Sequence, residues 1–220
     1  DRSSIRKAQK WVDIGRYWLD NRIDYLIMKD GSFSQYSMIY HRLVIDVLCF
    51  VLLWKTILSL EHFSKDINHK INKALAWIFE FTDIKTGNAP NIGANDGSML
   101  IPLHSCNYRN FKPSIQLLSV LLNSENIYEH GNWDEPLWWL KLDCKRFKYS
   151  NRENNKKYFT EGGFAKLEGI NSWGVIRFPK YLFRPKQCDA LHFDLWHNGV
   201  NLLRDGGTYS YNSSKSLDQY

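Results

Sequence analysis

Asp30-Gly31-Ser32-Phe33-Ser34-Gln35-Tyr36-Ser37-Met38-Ile39-Tyr40-His41-Arg42 lies between two long helical patterns, and its reading decides the fold. Upstream, over residues 4–28, Ile5, Ala8, Trp11, Val12, Tyr17, Trp18, Ile23 and Leu26 recur at roughly the three-or-four spacing of a core-facing helical stripe. Lys29-Asp30-Gly31-Ser32 then stops that helix, with Gly31 suited to the left-handed residue of a helix end. A second helix starts after the polar turn at 34–37 and runs to residue 60. It is apolar nearly all round over 44–54, which predicts a central, buried helix.

Downstream, Asp66 is placed to N-cap a third helix whose inner face is Ile67, Ile71, Leu75, Ile78 and Phe79. Residues 83–102, with Pro90, Gly93 and Gly97, form a long loop, and loops of that length in compact domains are usually functional or disordered. A fourth helix fits 113–122 and a short one fits 135–140. The character changes near Cys144. Residues 145–157 are polar and basic and read as a linker or a long surface loop. Beyond them, runs at 163–167, 173–178, 191–196, 200–203 and 208–211 read as strands, separated by turns at Gly169-Ile170-Asn171, Asn198-Gly199 and Asp205-Gly206-Gly207.

Helices followed by strands predict an α+β multidomain chain rather than an alternating α/β fold. The expected division is a helical part over 1–143, a linker over 144–157 and a strand-rich part over 158–220. A strand region of roughly sixty residues is short for a β-sandwich, which typically needs ~100. The chain begins at Asp1 rather than Met and stops at Tyr220 in a strand-rich region, so it is expected to be a fragment.

The bulk properties narrow the function classes. A hydrophobic share of 44% and nine tryptophans exclude a disordered polypeptide. A net charge of +6 favours anionic partners, namely nucleic acid, an anionic membrane surface or an acidic polysaccharide, with ordinary solubility as the plain alternative. Lys and Arg are scattered without a dense run and no base-reading module is recognised, so no nucleic-acid partner is expected. Cys49, Cys106, Cys144 and Cys188 form no CxxC pair, which argues against a zinc ribbon or a thioredoxin-like site. The longest apolar stretch, 43–60, is interrupted by Asp46 and Lys55 and reads as a buried helix rather than a transmembrane span.

Two further segments stand beside the opening one: Pro90-Asn-Ile-Gly-Ala-Asn95-Asp96-Gly97, and the stretch from Arg184 through Asp189, His192, Asp194, Trp196 and Gly199 to Arg204-Asp205-Gly-Gly-Thr-Tyr-Ser-Tyr211-Asn212. Taken in order, the three resemble the heparinase II/III-like proteins, a group that includes heparin-sulfate and alginate lyases. The first looks like the family's D-G-S-x-x-x-x-S-x-x-Y-H stretch near the active cleft. The third looks like the strand pair ending in D-x-G-T-Y-x-Y. The resemblance covers nearly the whole chain and implies the incomplete end of an α/α toroid followed by the incomplete start of an antiparallel β-sandwich. It also implies a periplasmic or secreted protein whose signal region lies outside this chain.

The implied reaction is β-elimination on an anionic, uronic acid-containing polysaccharide of the glycosaminoglycan or alginate kind. Its C5 proton is weakly acidic, so the neighbouring carboxylate must be neutralised to stabilise an enolate-like transition state. A base takes that proton and an acid protonates the departing C4 oxygen. The motif match makes Tyr40 the acid or base, against a packing role at a helix start. His41 and Arg42 adjoin it and could supply positive charge, His41 as a second catalytic group and Arg42 toward substrate. Asn95 and Asp96 either meet sugar hydroxyls or simply form the turn. Trp196 either stacks on a sugar ring or packs.

Two departures weigh on activity. Active lyases of the group often carry H-x-H-x-D just before the sandwich strand, whereas here Pro185 and Gln187 stand at the histidine positions and Asp189 remains. His192 either replaces the lost histidine at substrate or pairs structurally with Asp194. By strand alternation His192, Asp194 and Trp196 share one face. A divalent metal at Asp189 or Asp205 is not expected without partner histidines. The upstream neutralising residue is expected to precede Asp1. The alternative function is a non-catalytic glycan-binding or surface-polysaccharide assembly protein on the same scaffold.

Overall fold

The computed structural model describes residues 2–142, 148–149, 157–182, 187 and 189–207. Five helices come first: α1 (Arg2–Leu26), α2 (Met38–Ile57), α3 (Lys65–Glu80), α4 (Lys112–Asn123) and the short α5 (Glu135–Trp139). Two short strands, β1 (Glu125–Asn126) and β2 (Lys148–Tyr149), pair in parallel. A five-stranded antiparallel sheet follows in chain order: β3 (Tyr158–Phe159), β4 (Phe164–Gly169), β5 (Ser172–Arg177), β6 (Phe193–His197) and β7 (Val200–Leu203). The fold is thus mixed α+β; β1 lies between α4 and α5, and the five-stranded sheet follows the helices along the chain. Most of the expected linker and the expected strand at 208–211 lie outside the described residues.

Helix ends follow local chemistry. Ser37 N-caps α2, its hydroxyl accepting from the Tyr40 N–H at 3.2 Å. The cap of α3 is Ser64 rather than the expected Asp66: the Ser64 hydroxyl accepts from the Ile67 N–H at 3.2 Å, and Asp66 sits within the first turn, where its charge suits the helix N-terminus. The predicted inner face of α3 (Ile67, Ile71, Leu75, Ile78 and Phe79) is buried throughout.

Two expectations about helix faces are corrected. On α1 only the C-terminal end reaches the core, through Ile23; Trp11, Tyr17 and Trp18 of the expected stripe are exposed. α2 is buried on one face, while Val47, Phe50 and Trp54 stand open on the other. An all-round apolar helix buries only as many faces as it has neighbours, and α2 packs most closely against α4 and α3.

In the sheet, Asn198 and Gly199 both have positive φ (50° and 81°), the backbone of a tight hairpin turn joining β6 to β7. The strand expected over 191–196 starts later, at Phe193, because Leu191 adopts φ 64° in the preceding turn. The core is continuous from helices to sheet. Trp77 and Phe81 of α3 pack against Phe159 and Phe164, with Phe81 5.1 Å from the Phe159 ring centroid. Beside them buried Lys166 of β4 reaches Glu80 of α3 at 3.5 Å and Glu168 at 3.0 Å. Lys166 thus stands between a carboxylate of α3 and one of its own strand, an ion-pair group that ties the sheet to the helices.

His41 belongs to the same core. Its ring stacks on Trp77 with centroids 4.5 Å apart, and Nε2 lies 2.9 Å from the Ala74 carbonyl. Burial pushes the imidazole down to about 4 against its ordinary 6.5. The unfolded chain therefore binds a proton that the folded chain refuses between about pH 6.5 and 4, so stability falls as pH drops through that window. The effect is on the order of 3 kcal/mol. Urea unfolding of the full-length protein at stepped pH should show this slope, and His41→Gln, which keeps an amide N–H for Ala74, should flatten it. Equal slopes in both proteins would contradict the account.

Candidate functional site

The loop from 88 to 111 packs across the N-terminus of α2 and carries most of the polar groups expected to act. Ser37 anchors it by donating to the Ala94 carbonyl at 2.6 Å, and the Met38 N–H donates to Ile92 at 3.1 Å. The approach is so close that a Cβ on Gly93 (φ 78°) would stand 2.3 Å from the Tyr36 carbonyl oxygen. Tyr40, on the first turn of α2, projects onto this loop, where its hydroxyl donates to Asp96 Oδ2 at 2.8 Å in an exposed setting.

Asp96 is held from both sides. Its Oδ1 accepts from the Ser98 N–H at 3.0 Å and from the Ser98 hydroxyl. The Ser98 hydroxyl keeps the Asp96 carboxyl below the usual range, opposed by burial and aided by the Tyr40 hydroxyl and the backbone N–H donors. Asn95 next to it accepts from the Gly97 N–H at 3.1 Å and the Tyr108 hydroxyl at 2.8 Å, and donates to Asn91 at 3.1 Å. Expected Tyr40, Asn95 and Asp96 thus come together on one polar surface.

Arg42 lies beneath that surface. Its Nη1 donates to the Tyr108 carbonyl at 2.6 Å and Nη2 to the Ser98 carbonyl at 2.9 Å, and the guanidinium sits between the Tyr108 and Phe111 rings at 4.6 and 4.8 Å. It is 1% exposed, so the expectation of direct substrate contact is corrected: Arg42 pins the loop. His41, expected as a catalytic partner, turns the other way. Successive residues on a helix differ in direction by about 100°, which carries Tyr40 to the loop and His41 into the core.

The β6–β7 hairpin carries the remaining expected residues. Trp196 is 2% exposed and stacks on Trp173 at 5.1 Å, with its indole N–H donating to Asp194 at 2.5 Å. At that burial it packs chiefly within the sheet, while an edge of it also lines the polar groove described below. Asp194 is fully buried; burial raises its pKa, opposed by Trp196, Asn201 and His192. His192 Nε2 stands 3.7 Å from Asp194, within ion-pair range but beyond hydrogen bonding, and is otherwise without a hydrogen-bond partner. His192 thus lies beside Asp194, at ion-pair distance and without the hydrogen bond of a structural pair.

Between loop and hairpin runs a polar groove of about 560 Å³, lined by Asn91, Arg109, Asn201, Arg204 and Asp205 among others. Arg109 donates to Asn91 Oδ1 at 2.7 Å and to the Ala89 carbonyl at 2.5 Å. Its guanidinium is lowered chiefly by burial and further by the charge of Arg204, against Tyr108 and Asp194. Sequence reading missed Arg109 and Arg204, which lie in irregular segments with no spacing to mark them. Asn91 connects this groove to the Tyr40 surface through its bond to Asn95.

The carboxylates of Asp189 and Asp205 both have partners within the protein. Arg177 donates to both oxygens of Asp189, and Tyr181 adds a hydroxyl at 3.3 Å, while Asp205 Oδ1 accepts from the Gly207 N–H at 2.6 Å. Carboxylates committed to a guanidinium make poor ligands for a divalent ion. Among the described residues no three His, Cys, Asp or Glu side chains group as metal ligands.

No protein-family profile and no curated protein sequence matches the chain. Solved structures do. The chain is similar to a heparinase III, the BT4657 gene product, with a TM-score of 0.69 and 19% identity over 97% of this chain. It is likewise similar to another heparinase III structure (TM-score 0.67, 18% identity over 96% of this chain) and to heparan sulfate lyase HepC from Pedobacter heparinus (0.64, 18%, 96%). The chain spans 31%, 33% and 31% of those three proteins respectively. The fold is therefore heparinase-like, and the chain corresponds to a portion of such a structure.

The pinning of the loop by Arg42 can be measured. Arg42→Met keeps the stem but leaves the Ser98 and Tyr108 carbonyls without their charged donor, and should cost the full-length protein about 3 kcal/mol in urea unfolding. A loss below about 0.5 kcal/mol, the level of an ordinary surface change, would contradict it.

Proposed function

We propose that the chain is part of a polysaccharide lyase that cleaves an anionic, uronic acid-containing glycan by β-elimination. The observation that carries the reading is the Tyr40 hydroxyl. It emerges at the surface on a pinned polar loop that also borders the groove holding Arg109 and Arg204, in a chain with a heparinase-like fold. On this reading the helices are the end of an α/α toroid, the sheet is the start of an antiparallel β-sandwich, and the protein is secreted or periplasmic. No helix among the described residues is long and apolar enough to cross a membrane.

The chemistry uses the phenol as acid or base. The C5–H bond breaks to a base, its electron pair forms the C4=C5 double bond, and the C4–O4 bond breaks with protonation of O4. The guanidinium groups of Arg109 and Arg204 offer the groove positive charge toward a uronate or sulfate.

Incubating the full-length protein with a panel of uronic-acid polymers, heparan sulfate and alginate included, should release unsaturated products that absorb in the ultraviolet. Tyr40→Phe should lower kcat/KM by roughly 10²–10⁴-fold, the span typical of a lost general acid or base. Product formation unchanged in Tyr40→Phe, or none on any polymer with wild type, counts against the reading.

A second reading, a glycan-binding or polysaccharide-assembly protein without turnover, is favoured by the burial of His41 and by Pro185 and Gln187 at the expected histidine positions. Glycan-array binding without cleavage would select it.

A further inference from the structure

Tyr40 and Arg42 stand on the same helix and grip the same four-residue turn from two sides. Arg42 Nη2 holds the Ser98 carbonyl, Ser98 holds Asp96 Oδ1 through its N–H and hydroxyl, and Asp96 Oδ2 takes the Tyr40 hydroxyl. The result is a closed ring of contacts from α2 through the loop and back to α2. Each Asp96 oxygen has its own partner, so the carboxylate cannot rotate away from Tyr40 without breaking its bonds to Ser98. An exposed aspartate needs no such fixing to stay soluble.

We propose that Asp96 is a positioning residue for Tyr40, fixing the direction of its O–H and keeping the phenol in its proton-donating form. This rests on the lyase reading for its use but not for its physics. A carboxylate and a phenol lie about six pH units apart in ordinary acidity, so the shared proton stays on Tyr40. A phenolate 2.8 Å from the Asp96 carboxylate would face a like charge, which disfavours it. Among the described residues, the charged and titratable groups near this surface include Tyr108 and Arg109 from the loop and Arg42 from α2, with Asp46 behind Arg42. The arginines attract a phenolate, but Arg42 spends its donors on the Tyr108 and Ser98 carbonyls, and Arg109 on Asn91 and Ala89. In β-elimination Tyr40 then serves as the acid, giving its proton to O4 as the C4–O4 bond breaks.

The test is an alkaline titration of the phenolate absorbance in the full-length protein, read as wild type minus Tyr40→Phe so that Tyr40 alone is seen. The same difference is then taken in an Asp96→Asn background, which removes the charge and leaves one carbonyl oxygen to accept from Tyr40 or from Ser98. Asp96→Asn should raise the Tyr40 phenolate population about tenfold at a given pH below the midpoint, the lower end of a single neighbouring charge's effect. Asp96→Glu should restore it toward wild type. An identical Tyr40 titration in wild type and Asp96→Asn overturns the proposal, as does Asp96→Glu behaving like Asp96→Asn. The readout needs no turnover. Failure of the polymer assay with a shifted titration therefore sinks the lyase reading alone, whereas cleavage with an unshifted titration sinks the positioning role alone.

Discussion

One buried carboxylate joins the two halves of this molecule. Asp30 directs Oδ1 to the N–H and hydroxyl of Ser32 and Oδ2 to the N–H groups of Glu161 and Gly162, both at 2.9 Å. The first pair closes the turn that ends α1; the second seizes the turn between β3 and β4. A Cβ on Gly162 would stand 2.3 Å from the Ser32 hydroxyl, so turn and turn meet without room for a side chain. The Lys29 N–H reinforces the join by donating to Glu161 at 2.8 Å. A charge removed from water this completely is tolerable because four donors surround it.

The rest of the architecture follows from that join. With β4 fixed beside α3, the phenylalanines at 159 and 164 reach Trp77 and Phe81, and Lys166 reaches Glu80. The sheet then carries its far hairpin to the loop after α3. There a Cβ on Gly199 would lie 3.0 Å from Thr86, and the groove with Arg109 and Arg204 opens alongside. The groove thus lies where the loop after α3 meets the β6–β7 hairpin, and its basic lining comes from both. Arg42 performs the corresponding task for the loop itself, trading a substrate-facing charge for a fixed surface around Tyr40.

Much of the fold was legible because helices and hairpins announce themselves locally. The period of α3, the stop at Gly31 and the Asn198-Gly199 turn are properties of short segments. Alternation also placed Asp194 and Trp196 on one face of β6, which the structure buries. What sequence could not supply was the neighbour. Nothing in residues 40–42 says that the phenol faces a loop while the next two side chains face the core and the loop's underside, since that depends on where α3 and the 88–111 loop lie. The exposed aromatic face of α1 was misread for the same reason: periodicity gives a stripe but not what covers it. Arg109 was invisible because irregular loops have no period to read. The role of Asp30 was hidden too, because its partners are 131 and 132 residues away.

Native-state hydrogen exchange at the Glu161 and Gly162 amides measures the join directly. Both amides should be protected in the full-length protein to nearly the degree of the α3 core. Asp30→Asn, which can no longer accept from all four donors with a full charge, should release them while the α3 amides stay slow. Amides at 161 and 162 exchanging at the rate of an open turn in wild type would show that the carboxylate does not bind sheet to helices, and the groove between them would lose its physical basis.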